Sequence, residues 1–103
     1  MSQQMKRILI IIALLIGGCL ASSGQEFEYK TFKAEDGTEL NYRLLRPSES
    51  AKGQKFPLIL FLHGLGERGT DNESQLKWVG QMFLNPVIIE KYPAYVLCPQ
   101  CPE

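Results

Sequence analysis

Seven uncharged residues, Phe56-Pro57-Leu58-Ile59-Leu60-Phe61-Leu62, run straight into His63-Gly64-Leu65-Gly66-Glu67-Arg68-Gly69, where three glycines fall within six positions. A short, continuous apolar run suits a strand covered on both faces, as in a parallel sheet lying between helices. Pro57 fits such a strand only at its start, because it brings no N–H to a ladder. The glycines end the run and present main-chain N–H groups at the strand's carboxyl end, the edge at which open α/β sheets carry their sites. A chain built around this junction needs a sheet and helices together.

The flanking segments supply both. Upstream, Phe27, Tyr29, Thr31 and Phe32 follow a near period-2 spacing, and Leu40, Tyr42 and Leu44 alternate with Glu39, Asn41 and Arg43. Asp36-Gly37 between them provides the positive-φ geometry of a tight turn, so the two segments form an antiparallel hairpin. Arg46 to Lys55 holds Pro47, Ser48, Ser50 and Gly53 and reads as a solvated loop. Downstream, Thr70 and Glu73 have the spacing of a capping box, and Leu76, Val79 and Phe83 share one helical face with Trp78 and Met82 beside it. Asn85-Pro86 stops that helix, Val87 to Lys91 adds one short turn, and Ala94 to Cys98 reads as a further strand. An antiparallel hairpin followed by a βαβ unit places the chain in the α/β class, with a mixed edge on a mostly parallel sheet.

The amino terminus has a separate fate. Lys6 and Arg7 are the only charges before Glu26 and precede nine apolar residues, Ile8 to Ile16, which stop at Gly17-Gly18. A short basic region, a brief apolar run and then small residues form the secretory pattern, and the run is too short for a permanent span. Residues 1–18 are therefore expected to be a signal peptide, residues 19–25 a tether and residues 26–103 the folded part. Two cuts compete. Ile16-Gly17-Gly18-Cys19 resembles the bacterial lipobox, whose cysteine receives lipid and becomes the new N-terminus; this cut is favoured, with Cys19 as the attachment point. An ordinary signal-peptidase cut after Ala21, or among Ser22, Ser23 and Gly24, is the alternative. The expected location is the periplasm or cell envelope, lipid-anchored, or otherwise secreted.

Charge and cysteine content narrow the chemistry. Eleven basic residues balance eleven acidic ones over 103 positions, and the exported part carries nine against eleven. Nothing here suggests a nucleic-acid partner, and the membrane enters only through the lipid anchor. One histidine and three cysteines make neither a metal site nor a disulfide framework, and no cofactor is implied. Cys98-Pro99-Gln100-Cys101 has redox spacing, but no helix of good propensity follows and no Trp precedes it. Cys98 reads as a core residue and Cys101 as a loop residue, and in an oxidising compartment the two can pair.

Exposed N–H groups after a buried strand serve either phosphate binding or stabilisation of an oxyanion. The phosphate motifs do not match: G-x-x-x-x-G-K-[ST] is absent, and Gly64, Gly66 and Gly69 satisfy G-x-G-x-x-G without an acidic residue ending the next strand. Leu62-His63-Gly64-Leu65-Gly66 instead resembles the strand-to-loop segment of α/β-hydrolases. The stretch Pro57 to Asn72, with Glu67-Arg68-Gly69-Thr70-Asp71, and the segment Tyr95 to Pro102, with Pro99-Gln100-Cys101-Pro102, are similar to an exported esterase- and peptidase-like branch. That branch is related to prolyl oligopeptidases, carboxylesterases and polyhydroxyalkanoate-depolymerase-type enzymes. The resemblance covers roughly residues 27–103.

The resemblance implies that Leu65, flanked by Gly64, donates its backbone N–H to the oxyanion of an acyl-transfer intermediate, with Gly66 letting the chain turn. His63 is the only histidine, but it precedes the place where the family puts its nucleophile and acid, so it reads as a brace for the loop and not as the base. Glu67 and Arg68 read as loop support through an ion pair or hydrogen bonds, or as a solvated turn. No serine has glycine two positions before and after it, so the nucleophile elbow is missing, and with it the acid and base. Domains of this kind commonly run to ~200–250 residues. The chain is therefore expected to be the incomplete N-terminal portion of an α/β-hydrolase fold. It would come from an exported serine hydrolase acting on a small-molecule ester or a peptide, and would be inactive alone. The alternative is a small surface lipoprotein that binds without chemistry.

Overall fold

The computed structural model describes residues 25–48 and 53–103. The apolar leader, Cys19 and the tether up to Gly24 lie outside the described residues. Among those described, no helix is long and apolar enough to cross a membrane.

The hairpin forms where the period-2 pattern puts it. Strand β1 (Glu28–Lys33) pairs antiparallel with β2 (Glu39–Leu45), from Glu28 opposite Leu44 to Lys33 opposite Glu39. The turn needs Gly37, at φ 87°, and Asp36, whose carboxylate accepts the Thr38 N–H at 2.9 Å. Strand β3 (Leu58–Leu60) and β4 (Tyr95–Pro99) are parallel, with Ile59 opposite Val96, and β4 also pairs antiparallel with β2. The resulting order is β1-β2-β4-β3, a mixed four-stranded sheet compatible with part of an α/β fold.

Two expectations are corrected. The run 56–62 yields only a three-residue strand, covered on one face. Ile59 and Phe61 pack against the core, whereas Leu58 and Leu60 are 62% and 56% exposed. The reason is position: β3 is an edge strand, and its outer face meets no described element. The single helix expected from Thr70 to Leu84 is broken into a 3-10 turn at Ser74–Leu76 and a short helix α1 (Gly80–Phe83). Thr70 is not the cap. Asp71 instead accepts the N–H groups of Glu73 and Ser74 at 3.0 and 3.1 Å, at the start of a 3-10 turn whose own N-cap, Glu73, makes no side-chain cap bond. Asn72 stands at φ 53°, a left-handed conformation that no helix can contain.

The helical face survives this break. Val79 is buried, and Leu76 and Phe83 pack against it with Phe27, Leu45, Val96 and Cys98, while Trp78 and Met82 face out. Helix α2 (Pro86–Lys91) is longer than the single turn expected, because the Asn-Pro pair that ends one helix starts another. Asn85 accepts the Val87 N–H at 2.9 Å, and Pro86 occupies a first-turn position whose N–H would have no partner. The core thus lies on one face of the sheet. At the carboxyl ends of the parallel strands, residues 61–73 meet the segment that leaves β4.

Candidate functional site

The loop after β3 is held chiefly from one side, by the two residues that follow β4. His63 is fixed through both ring nitrogens. Nε2 accepts the Cys101 N–H at 2.9 Å, so the proton sits on Nδ1, which donates to the Gly64 carbonyl at 2.6 Å. Neither nitrogen is left to take a proton from a nucleophile. The Cys101 carbonyl in turn accepts the Gly69 N–H at 2.9 Å.

Gly64 then leads into a 3-10 turn at Leu65–Glu67. The turn closes through Glu67 N–H to Gly64 C=O and Arg68 N–H to Leu65 C=O. The N–H groups of Leu65 and Gly66 donate to no described residue, and the Leu65 side chain is 76% exposed. These two amides, with the Gly64 N–H before them, are among the unused donors at the end of β3. Gly64 has a steric duty here, since a Cβ on it would lie 3.1 Å from Oε2 of Glu67.

Glu67 is buried, and its carboxylate accepts a short hydrogen bond from the Trp78 indole N–H. Glu67 and Arg68 do not pair with each other, because the Glu67 side chain turns beneath the loop towards the helix while Arg68 stays exposed. The C-x-x-C residues are both free thiols, and no disulfide joins them. Cys98 lies in the core, where burial pushes its thiol up to about 11, against a small opposing pull from the Arg43 guanidinium. It is therefore a neutral apolar filler and not a nucleophile. Cys101 is exposed. Among the described residues, no three His, Cys, Asp or Glu side chains come together to hold a metal ion.

Behind the loop lies a buried polar network with no counterpart among the sequence-based candidates. Gln100, 1% exposed, accepts the Asn72 N–H at 2.7 Å and donates to the Glu67 carbonyl at 3.1 Å and the Asp71 carboxylate at 2.7 Å. The Asn72 side chain donates to the Lys30 and Tyr42 carbonyls, each at 3.3 Å, and accepts from Gln75 at 2.6 Å. Arg43 reaches the Asn72 and Phe27 carbonyls at 3.1 and 2.8 Å, its guanidinium 3.6 Å from the centre of the Tyr29 ring. Asp71 is held well below the ordinary carboxylate range, first by the Ser74 hydroxyl, then by Gln100 and by two backbone N–H groups. A groove of about 770 Å³ between β1 and α1 opens on this network beside Arg43 and Glu73, and none of residues 63–69 lines it.

One signal for the network was available: asparagine is the non-glycine residue that best tolerates the left-handed region, and Asn72 follows the turn-forming Gly69-Thr70-Asp71. Gln100, Gln75 and Arg43 have no comparable mark, since a polar residue in a loop, helix or alternating strand normally faces water.

With this geometry in place, comparison with known proteins gives a clear likeness. The chain is similar to a solved thermostable esterase, at 42% identity and a TM-score of 0.68, over 75% of this chain and 21% of the esterase. The chain thus spans about a fifth of that protein's length. No protein-family model matches the chain, and no curated protein does. Identity at this level, over a mixed sheet of this order, supports an α/β-hydrolase-like fold.

Proposed function

We propose that this chain supplies the oxyanion-binding loop of an exported serine hydrolase that cleaves carboxylic esters or peptide bonds. The nucleophile, acid and base come from further residues of a longer protein. The observation that carries this reading is the pair of unsatisfied N–H groups at Leu65 and Gly66, at the carboxyl end of a parallel strand, in a chain 42% identical to part of an esterase. When serine attacks the scissile carbonyl, its oxygen becomes an oxyanion. A main-chain donor already aimed at that charge lowers the barrier by roughly 3–4 kcal/mol in a site closed to water. His63 fixes the strand end from which the donors project, and the 3-10 turn that follows carries them.

Leu65→Pro is the decisive substitution, made in the longer hydrolase that this reading proposes. Gly64 has φ −84° and ψ −178°, the extended conformation a residue before proline prefers, and Leu65 opens the turn at a position where no chain acceptor uses its N–H. The change deletes the donor and little else. Against p-nitrophenyl esters we expect kcat to fall about 10²–10³-fold with thermal stability preserved. An unchanged kcat, or a wild-type protein that hydrolyses neither esters nor peptides, overturns the reading. Export through a lipid anchor on Cys19 belongs to the same proposal, and incorporation of labelled palmitate that disappears in Cys19→Ala is its test.

A further inference from the structure

We infer that Gln100 is a positioning residue for the oxyanion loop, an inference that rests on the function proposed above. The loop from His63 to Asn72 touches the end of β4 at five places, and three of them are made by this one side chain. Its carbonyl oxygen takes the Asn72 N–H at 2.7 Å. Its amide nitrogen donates to the Glu67 carbonyl at 3.1 Å and to the Asp71 carboxylate at 2.7 Å. The remaining two contacts come from the backbone of the next residue, Cys101, which bonds His63 Nε2 and Gly69 N–H. Gln100 itself is anchored, its N–H donating to the Asn41 carbonyl on β2 at 2.9 Å.

The consequence is geometric. Glu67 closes the turn that carries the Leu65 and Gly66 amides, and its carbonyl is bound by Gln100 from behind. Glu67 has one other side-chain bond among the described residues, its carboxylate accepting from the Trp78 indole, which lies outside the sheet, and the next tie to the end of β4 comes two residues on, at the Gly69 N–H. The side chain must be an amide. A carboxylate in its place would face Asp71 with like charge and give up both donated bonds, and an apolar side chain would leave the Asn72 N–H and the Glu67 carbonyl buried without partners. At 1% exposure the side chain touches no substrate, so it acts only by setting where the two donors point.

The test is a double-mutant cycle in the full-length hydrolase, with Gln100→Met, Leu65→Pro and the two combined, read as kcat and KM on a p-nitrophenyl ester. Loosening the turn by about an ångström is expected to lower kcat ~10–100-fold with KM within about twofold, since the loss appears in the transition state. In the Leu65→Pro background the same substitution should cost less than it does alone, because one of the two donors it positions is already gone. If Gln100→Met does not fold, Gln100→Asn, which keeps the amide but cannot span Glu67 and Asn72 together, replaces it in the cycle. A kcat equal to wild type, a loss that appears in KM, or losses that multiply in the double variant overturn the assignment. A wild-type protein without hydrolysis overturns the proposed function itself, and with it any catalytic part for Gln100, an outcome distinct from an active wild type whose cycle fails.

Discussion

Asn72 concentrates more of the site's geometry than any residue the sequence singled out. It occupies the left-handed region at φ 53°, and its backbone and side chain bond Gln100, Arg43, Gln75 and the carbonyls of both hairpin strands. Replacement by alanine combines a left-handed strain of roughly 1–2 kcal/mol with buried carbonyls left unpaired, so a total loss of about 3 kcal/mol is expected. Asn72→Gly relieves the strain and should lose about 1 kcal/mol less. Urea unfolding of the two variants separates the terms, and equal losses would show that conformation contributes nothing. Cys98 and Cys101 offer a second check at this scale. The exposed Cys101 should react with a thiol reagent at neutral pH, and Cys98, buried with its thiol pushed up to about 11, only after unfolding.

At the scale of elements, the N–H groups at the start of the 3-10 turn Ser74–Leu76 are taken by a carboxylate that the spacing did not single out. The Thr70–Glu73 spacing looks like a capping box, but Asp71 offers a carboxylate two and three residues ahead of two free N–H groups and wins them. A chain that turns through Gly69, at φ 146°, before Asp71 and through Asn72 after it delivers Asp71 and not Thr70 to these N–H groups. This carboxylate has a pH signature. The Asp71 carboxyl is held below its ordinary value in the folded chain, by the Ser74 hydroxyl above all, so its contribution to stability is complete above the unfolded carboxylate range of ~3.9. It is lost progressively as pH falls below that range. Asp36, lowered by the Thr38 N–H, adds a term of the same sign. Urea midpoints between pH 6 and 3 should decline less steeply in Asp71→Asn than in wild type; parallel declines would remove Asp71 from the account.

On the scale of the whole molecule, the described residues cover the sheet on one face only. Leu60, Leu97 and Leu44 lie in register across β3, β4 and β2, with Leu58 and Tyr95 beside them, on the face away from the helices. Leu58 and Leu60 are more than half exposed on an edge strand, a surface that associates in water. Residues 25–103 expressed alone should therefore self-associate, and Leu58→Lys with Leu60→Lys should shift the species seen by light scattering towards monomer. A wild-type chain that stays monomeric at tens of micromolar would show that this face needs no cover. The hairpin, the two parallel strands and the helical face Leu76-Val79-Phe83 were legible because periodicity and turn chemistry are local: each follows from residues within about ten positions. The tautomer of His63, the burial of Glu67 and the roles of Gln100, Arg43 and Asn72 were not, since each depends on a partner 11 to 42 residues away. What the amino-acid order determined alone was the set of elements and the glycine-rich loop between them; which polar groups hold that loop was decided only when β2, β4 and the loop met, because a hydrogen bond over that span exists in no local pattern.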